Sequence, residues 1–421
     1  MGHKFDTIQV HGGHSPDSAS LARAVPIYQS TSFSFTDTDH AAALFDYSES
    51  GNIYTRIGNP TTEVLEKRVS LLEGGVGSVA TASGTAAVLY SVFNIAQAGD
   101  EIISSKALYG GTVHLFESIL KDMGVRVHFV DINNPQEIQQ AITDKTKAVF
   151  TETVGNPMNT VADLEMIAKV AHDHGIPLIV DSTSTTPYLI RPFDYGADIV
   201  VHSLTKFMGG HGISIGGIVT DSGRFSWERF EKLSQPDPSM QGLNFTGHFG
   251  NQAYIARLRT VVLRDTGACI SPFNAFTILL GIETLSLRMA RHCENAMKVA
   301  SFLEDHADIG WVNYPGLESH SDHELALKYL KNGFGAIISF GPKGGFRSAK
   351  KIVDRVKLIS HLANIGDAKT LIIHPASTTH QQLSEQQQRA SGIEPEMIRL
   401  SIGIEDPDDI IDDLDQAIRG S

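Results

Sequence analysis

Between about residue 60 and about residue 265, the chain alternates short apolar runs with segments of helical periodicity. The apolar runs are rich in β-branched residues and end at turn residues, which is typical of buried strands in a parallel sheet. The predicted strands are Ser78–Thr81, Glu101–Ser104, Arg126–Val130, Ala148–Thr151, Pro177–Asp181, Asp198–His202 and Gly217–Thr220. The predicted helices between them include Thr61–Leu72, Thr85–Ala96, Gly111–Met123 and Leu164–His174. This order of elements predicts a doubly wound α/β sheet.

The two ends of the chain have different patterns. Residues 1–60 are rich in Ser, Thr, Asp, Gly and aromatic residues and show no alternation of strands and helices. Such a segment has no core of its own, so we expect an extended arm that lies on a neighbouring subunit. From about residue 270, a long helical pattern near Phe273–Asp305 is followed by apolar runs at Gly335–Phe340, Ile352–Leu358 and Thr370–Ile373. This second pattern predicts an α+β domain.

We therefore expect three parts along the chain. Residues 1–60 form the arm, residues 61–265 form a large domain with a mostly parallel sheet, and residues 266–421 form a smaller C-terminal α+β domain. Two or three domains also agree with a length of 421 residues. The polar run Gln381–Gln388 is expected to be a solvated helix.

Composition argues against several classes of protein. The net charge is −14 and no basic run is present, which disfavours a nucleic-acid surface. The N-terminus has no apolar signal segment, and no window approaches the roughly 18 unbroken apolar residues of a membrane span. The two cysteines, Cys269 and Cys293, are too few for a disulfide framework. We expect a cytoplasmic protein with no nucleic-acid or membrane partner.

Candidate chemistry begins at the ends of two predicted strands. Asp181 ends one apolar run, and Lys206 follows another, Asp198–His202, within a few residues. Parallel strands deliver their last residues to one edge of the sheet, so a carboxylate and a lysine reach the same crevice. This pair suits pyridoxal 5'-phosphate (PLP), because a lysine can bind its aldehyde while a carboxylate keeps its pyridine nitrogen protonated. Taken singly, the aspartate could equally cap a helix and the lysine could lie in solvent.

Hydroxyl and backbone amide groups near the same edge could bind a phosphate. Ser83, Gly84 and Thr85 open a predicted helix directly after a strand, where unpaired N–H groups form an anion site. Ser203 and Thr205 offer further hydroxyl groups beside the lysine. An ordinary helix cap is the alternative for the first of these segments.

Three further segments carry candidate site residues. Tyr54 and Arg56 lie in the predicted arm and could bind a phosphate in the site of a neighbouring subunit. Tyr109 follows a strand and could stack on a pyridine ring and move a proton, although a core aromatic is equally compatible with the local pattern. Asn156 could hydrogen-bond the ring oxygen of the cofactor and Glu152 could orient a neighbour, although an asparagine before proline commonly forms a turn.

The C-terminal part offers a candidate for substrate binding. Arg399 lies in the last clear apolar run, and its guanidinium is well shaped to bind a substrate carboxylate through two hydrogen bonds. Ser339, in another apolar run of the same domain, could assist it.

Taken in order, these segments resemble the Cys/Met-metabolism family of PLP-dependent enzymes. The resemblance covers nearly the whole chain. It is carried by the motifs Val25–Thr31, Tyr54–Arg56, Ala82–Ala87, Val180–Thr183, His202–Lys206 and Arg399–Gly403. It implies the PLP-dependent transferase fold type I, which is the fold of aspartate aminotransferase, and a homotetramer built from active dimers.

The resemblance also implies a role for each candidate residue. Lys206 would hold the cofactor as a Schiff base and Tyr109 would stack on its ring, and both would act in catalysis. Asp181 would pair with the pyridine nitrogen. The other implied cofactor-binding residues are Ser83, Gly84, Thr85, Asn156, Thr183, Ser203 and Thr205, with Tyr54 and Arg56 from the adjacent subunit. The implied substrate-binding residues are Arg399, Ser339, Asn156 and Tyr54.

Within the family, the segments Asn364–Thr370 and His374–His380 are similar to those of members that act on O-acetylhomoserine. Methionine γ-lyases usually have a cysteine where this chain has Gly111. The implied activity is γ-replacement, in which sulfide or methanethiol displaces acetate to give homocysteine or methionine. Cystathionine γ-synthase and methionine γ-lyase activities stay open as alternatives, as do the acyl group of the ester and the preferred thiol. A cofactor-binding regulator with an inactive site is disfavoured, because the chain shows no DNA-binding segment.

Overall fold

The computed structural model describes residues 2–379, 381, 388 and 392–421. Most of the polar run Gln381–Gln388, and also His380, lies outside these residues, so the helix expected there stays a prediction. The larger sheet consists of β1 (Gly77–Thr81), β2 (Glu101–Ser105), β3 (Arg126–Val130), β4 (Thr146–Glu152), β5 (Leu178–Asp181), β6 (Ile199–Ser203) and β7 (Gly217–Asp221).

The strands of this sheet lie in the order β1-β7-β6-β5-β4-β2-β3. Strand β7 is antiparallel to both of its neighbours, whereas the other neighbouring pairs are parallel. The predicted strands therefore exist, and the mostly parallel sheet is confirmed. The carboxyl ends of β4, β5 and β6 consequently lie side by side at one edge.

Helices connect and cover these strands. Up to residue 266 they are α1 (Phe5–His11), α2 (Thr38–Phe45), α3 (Pro60–Glu73), α4 (Gly84–Phe93), α5 (Gly110–His114), α6 (Pro135–Ala141), α7 (Leu164–Asp173), α8 (Thr186–Leu189), α9 (Glu231–Ser234), α10 (Phe245–Phe249), α11 (Ala253–Arg257) and α12 (Arg264–Thr266). Two π-helical segments, Leu115–Leu120 and Leu258–Leu263, continue α5 and α11. In the described part of the chain, no helix has the length and apolar character needed to cross a membrane.

The central strands are buried on both faces. Ile179 and Val201 contribute to the core on one face, and Val180 and Val200 to the core on the other. Side chains alternate between the faces of a strand, so continuous Val and Ile runs suit a sheet that helices cover on both sides. The second of these cores extends into the C-terminal part of the chain, where it includes Ile338.

The C-terminal part contains a second sheet and further helices. Its strands are β8 (Ile309–Asn313), β9 (Ile337–Pro342), β10 (Ser360–His361), β11 (Leu371–Ile373) and β12 (Ile398–Ser401), in the order β10-β11-β12-β9-β8. Its helices are α13 (Pro272–Ile282), α14 (Leu285–Asp305), α15 (His323–Tyr329), α16 (Gly345–Arg355) and α17 (Pro407–Arg419).

The structure specifies two sequence patterns of this part more closely. The long helical pattern near Phe273–Asp305 belongs to two consecutive helices. The apolar run Ile352–Leu358 begins within α16, where Ala349, Ile352 and Val353 are buried. Their spacing of three and four residues is that of a helix face, and this periodicity overrides the local run of apolar residues.

The first 60 residues differ from a fully extended arm. They contain α1 and α2, together with one isolated antiparallel bridge between Ser32 and Tyr54. Helix α1 lies on its own chain, where Gln9 Nε2 donates to Ser286 Oγ at 2.8 Å.

Candidate active site

The carboxyl edge of the larger sheet borders a cavity of about 270 Å³. Glu152, Asp181 and Ser203 are the last residues of β4, β5 and β6, so the fold brings them together. The lining residues are Ser83, Gly84, Thr85, Val88, Tyr109, Thr112, Glu152, Asn156, Asp181, Thr183, Ser184, Ser203, Thr205, Lys206, Ile215, Ala363, Asn364, Ile365, Thr379 and Arg399. Eleven of the predicted site residues are among them: Ser83, Gly84, Thr85, Tyr109, Asn156, Asp181, Thr183, Ser203, Thr205, Lys206 and Arg399.

Lys206 lies in the turn that follows β6. Its Nζ donates to Asn364 Oδ1 at 2.6 Å. Burial, and then the nearby positive charge of Arg399, lower the pKa of Lys206 to about 8. A neutral amine is a nucleophile and a base, so this environment prepares Lys206 for both uses near neutral pH.

Two carboxyl groups lie side by side at the strand ends. Glu152 and Asp181 are paired residues in the register of β4 and β5. Burial raises the pKa of Asp181, and the N–H of Thr183, which donates to Asp181 Oδ1 at 2.9 Å, opposes that rise. Burial, followed by the neighbouring Asp181 carboxylate, raises the pKa of Glu152 well above its usual range. Two adjacent acids in this setting do not both ionise easily, and a cation facing Asp181 would favour the ionised form of Asp181.

Helix α4 begins directly at the cavity. Ser83 is its N-cap, and the Ser83 hydroxyl accepts a hydrogen bond from Ala86 N at 3.1 Å. A Cβ on Gly84 would lie 2.4 Å from the Cβ of Ser203, so only glycine permits the helix to approach β6 this closely. The N–H groups of a first helical turn lack carbonyl partners within the helix and attract anions.

The threonines beside the lysine have structural partners. Ser203 N donates to Thr183 Oγ1 at 2.8 Å, which links the ends of β6 and β5. Thr205 Oγ1 accepts from Gly216 N at 3.1 Å and lies 3.2 Å from Gly216 O. Both threonines line the cavity, and both also hold the backbone around Lys206.

Tyr109 forms a wall of the cavity and is 49% exposed. A Cβ on Gly111 would lie 2.4 Å from Tyr109 Cε1, so the tyrosine ring occupies the space where a larger residue 111 would project. This packing explains why residue 111 is a glycine, since a side chain there would displace the tyrosine ring.

Arg399 lies on β12 and closes the cavity from the C-terminal sheet. Its Nη1 lies 3.3 Å from Asn156 Oδ1, its Nη2 donates to Asn364 O at 3.0 Å, and its Nε is buried without a partner among the described residues. Burial lowers the pKa of Arg399 to about 10, and the nearby Tyr109 opposes this shift. A guanidinium of this kind retains the capacity to bind a carboxylate.

Three predicted residues lie outside the cavity. Ser339 is fully buried, and its Oγ donates to Pro157 O at 2.7 Å, so its expected part in substrate binding stays a prediction. The structure instead pairs Ser339 with Arg399 across β9 and β12. Tyr54 is 41% exposed, and the guanidinium of Arg56 lies 5.3 Å from its ring and donates to Arg264 O.

Sequence reasoning assigned no contact to Asn364 and only a general orienting role to Glu152. The structure shows that Asn364 contacts both Lys206 and Arg399, and that Glu152 accepts from the N–H groups of Tyr109 and Asn156. The position of Glu152 at a strand end was a usable signal. The segment Asn364–Thr370 indicated the subgroup but not a contact, because Asn364 reaches the site from a loop more than 150 residues distant in the sequence.

These groups fit PLP. Among the described residues, the Nε of Arg399 has no partner, and Gly84 brings the start of α4 close to β6, so polar groups from both sides face the cavity. Lys206 supplies an amine and Asp181 a carboxylate. Together with the large sheet and the smaller C-terminal sheet, this site defines a PLP-dependent enzyme of fold type I.

The chain belongs to the Cys/Met metabolism PLP-dependent enzyme family, whose model matches residues 6–419. It is 52% identical to the O-acetyl-L-homoserine sulfhydrylase of Leptospira meyeri, over 99% of this chain and 97% of that protein. It is 50% identical to the homocysteine synthase of Schizosaccharomyces pombe, over 98% of each chain. A similar solved structure, described as an O-acetylhomoserine (thiol)-lyase of Campylobacter jejuni, contains a pyridoxyl-lysine monophosphate. That structure has a TM-score of 0.96 and 41% identity, and the match covers 99% of this chain and 100% of the other.

Proposed function

We propose that this enzyme converts O-acetyl-L-homoserine and sulfide to L-homocysteine and acetate, and that methanethiol in place of sulfide gives L-methionine. The observation that carries the proposal is the position of Asn364. This residue opens the segment that predicted the subgroup, and it contacts both Lys206 and Arg399. The names of the similar proteins from Leptospira meyeri and Schizosaccharomyces pombe support the same substrates.

The cavity residues divide into those that hold the cofactor and those that hold the substrate. Lys206 would bind the aldehyde carbon, Asp181 would face the pyridine nitrogen, and Tyr109 would cover the ring. The phosphate would lie against the start of α4 and the β6 turn, held by Ser83, Gly84, Thr85, Ser203 and Thr205, with Thr183 supporting the ring side. When bound, PLP supplies an electron sink that stabilises negative charge at the α-carbon of an amino acid.

The chain's own residues then position the amino acid and move its protons. Arg399 would bind the α-carboxylate, with Asn156 fixing the orientation of the guanidinium. The amine of Lys206 would take the proton from Cα, since its lowered pKa leaves much of it neutral near pH 8. It would pass that proton to the former aldehyde carbon of PLP, and the amine, neutral again, would then take one from Cβ. The Cγ–O bond breaks and acetate leaves with the bonding electrons. A sulfur–Cγ bond forms, and the protons are returned to Cβ and Cα.

Tyr54 and Arg56 fit a role in a neighbouring subunit's site. Both lie outside the cavity of their own chain, which that assignment requires. The proposed assembly is a homotetramer of active dimers located in the cytoplasm. The proposed division of the chain is an arm over residues 1–60, a large domain over residues 61–265 and a C-terminal domain over residues 266–421.

A turnover panel tests the proposal. The acetyl, succinyl and phospho esters of homoserine would each be supplied with sulfide, methanethiol or cysteine, and the products identified by mass. We expect homocysteine that depends on both the acetyl ester and sulfide. Cystathionine as the main product would instead indicate a cystathionine γ-synthase. Ammonia released to the same extent with and without a thiol would indicate a γ-lyase.

A further inference from the structure

Glu152 joins two neighbouring loops that line the cavity. Its Oε1 accepts from Tyr109 N at 2.7 Å, and its Oε2 accepts from Asn156 N at 3.2 Å. The side chain is buried, with 7% of its surface exposed. Both oxygens are therefore used, and each holds the backbone of a different loop.

The two loops carry different parts of the site. Tyr109 presents its ring to the cavity, whereas Asn156 contacts the guanidinium of Arg399. A single carboxyl group thus links the backbone of the tyrosine that lines the cavity to the backbone of the asparagine that contacts Arg399. Strand β4 supplies a rigid base for this carboxyl group, because Glu152 is its last residue.

The carboxyl group of Glu152 can accept both hydrogen bonds whether it is ionised or protonated. Burial and the adjacent Asp181 raise the pKa of Glu152 well above its usual range. Both oxygens of a protonated carboxyl group still have lone pairs, so the two N–H groups keep their acceptors. Asp181 can then carry the negative charge of the pair.

We propose that Glu152 is a positioning residue that fixes Tyr109 and Asn156 relative to each other, and through Asn156 fixes the substrate-binding orientation of Arg399. The second part rests on the proposed function, because it needs a substrate with a carboxylate. The first part concerns only the geometry of the cavity.

The test is Glu152→Gln in the full-length protein loaded with PLP. Glutamine keeps the volume, but its amide nitrogen cannot accept, so one of the two N–H groups loses its partner. We expect a changed circular dichroism of the bound chromophore and a KM for the homoserine ester raised about tenfold or more, with a smaller change in kcat.

Glu101→Gln is the matched control. Glu101 is another buried glutamate of the same sheet, bonded to His128 and Thr143 and remote from the cavity lining. We expect this variant to keep the chromophore signal and KM of the wild type. A Glu152→Gln protein that matches Glu101→Gln in both readouts would overturn the proposal.

Hydrogen exchange of the wild-type protein provides a measurement that does not depend on the variant folding. Slow exchange of the Tyr109 and Asn156 amides would support the proposal, and fast exchange of both would contradict it. If the wild type does not turn over homoserine esters, the proposed function fails. The chromophore signal and the amide exchange still decide whether Glu152 positions the two loops.

Discussion

Lys206 and Lys232 have similarly lowered pKa values but different surroundings. Burial is the first cause of the shift in each, and both pKa values are lowered to about 8. Lys206 donates to one side-chain oxygen at the cavity, that of Asn364. Lys232 donates to the carbonyl groups of Phe93 and Ala96, where helix α4 ends. Its ammonium therefore completes the hydrogen bonds of a helix terminus, which is a structural use.

The buried arginines differ in the same way. Burial lowers the pKa of Arg288 and of Arg399 to about 10. Arg288 donates to the carbonyl groups of Phe207, Met208 and Gly281, whereas Arg399 leaves its Nε without a partner among the described residues. Arg257, which lies outside the cavity, also has a buried Nε without a partner among the described residues. Neither a lowered pKa nor incomplete hydrogen bonding alone therefore distinguishes the candidate site from the scaffold, and the placement of Lys206 and Arg399 at one cavity is what does.

The largest expected effect comes from the two lysines. Lys206→Ala should lower kcat by about 1,000-fold or more and abolish the visible absorbance of the bound cofactor, because the amine is the proposed attachment point and the proposed base. Lys232→Ala should leave kcat/KM within about threefold. It should reduce the free energy of unfolding by about 1–2 kcal/mol, since two helix-end carbonyls lose their donor. Turnover assays and urea unfolding measure both quantities. Equal losses of activity in the two variants would contradict the assignment of Lys206 to the active site and of Lys232 to the scaffold.

The next largest difference is expected between the two arginines, in KM for Arg399 and in the free energy of unfolding for Arg288. Arg399→Lys keeps the charge but loses the planar fork, so KM for the homoserine ester should rise about 10- to 100-fold with little change in the free energy of unfolding. Arg288→Lys should lower the free energy of unfolding by about 2–3 kcal/mol, because carbonyls of Phe207, Met208 and Gly281 lose donors. Steady-state kinetics together with urea unfolding distinguish the two. An unchanged KM in Arg399→Lys would contradict the assignment of Arg399 to the carboxylate.

Sequence patterns predicted the site best where the residues lie on elements of the sheet. Asp181 and Lys206 follow buried strands, and parallel strands end at one edge, so their proximity followed from the pattern. The orientation of the Ser339 hydroxyl was not predictable, because strand pairing alone does not say whether a hydroxyl points into a cavity or to a carbonyl. Its hydroxyl binds Pro157 O.

The loop contributions to the site were not predictable in the same way. Asn364 reaches Lys206 across 158 positions of sequence, and no local periodicity encodes such a contact. The same limit applied to the fold, where the apolar run Ile352–Leu358 was compatible with strand or helix until its packing was known. Tertiary contacts decide such segments, and a single sequence does not specify them.

A smaller effect concerns the titration of Lys206 itself. In protein free of PLP, reductive methylation of Lys206 by formaldehyde should reach half its maximal rate near pH 8, because only the neutral amine attacks an aldehyde. Peptide mass spectrometry after timed labelling measures this rate. Arg399→Met should move the midpoint upward, since the positive charge of Arg399 contributes to the lowered pKa. A midpoint near pH 10 in the wild type would show that burial does not depress the lysine.

The last comparison concerns a buried acid of the scaffold, for which we expect a change in stability and the smallest change in activity. Asp221 is fully buried in the scaffold, its Oδ1 accepts from Gly223 N at 2.8 Å, and its Oδ2 has no partner among the described residues. Burial, with a further contribution from Asp198, raises the pKa of Asp221 to about 7. The folded state therefore holds a proton that the unfolded chain releases above about pH 4, and the associated stability is lost as the pH rises towards 7.

Asp221→Asn should remove this loss. Relative to the wild type, its free energy of unfolding should rise by about 4 kcal/mol between pH 4 and pH 8, since the pKa of Asp221 is raised by about three units and each unit corresponds to about 1.4 kcal/mol. Asp173→Asn is the control, because Asp173 is exposed and its hydrogen bond with Lys169 lowers its pKa. Between pH 4 and pH 8 this control should follow the wild type, since any stability from a lowered pKa is lost only at more acidic pH. Parallel curves for wild type and Asp221→Asn would mean that Asp221 is ionised in the folded protein. The scaffold would then tolerate an unsaturated buried charge as the cavity does.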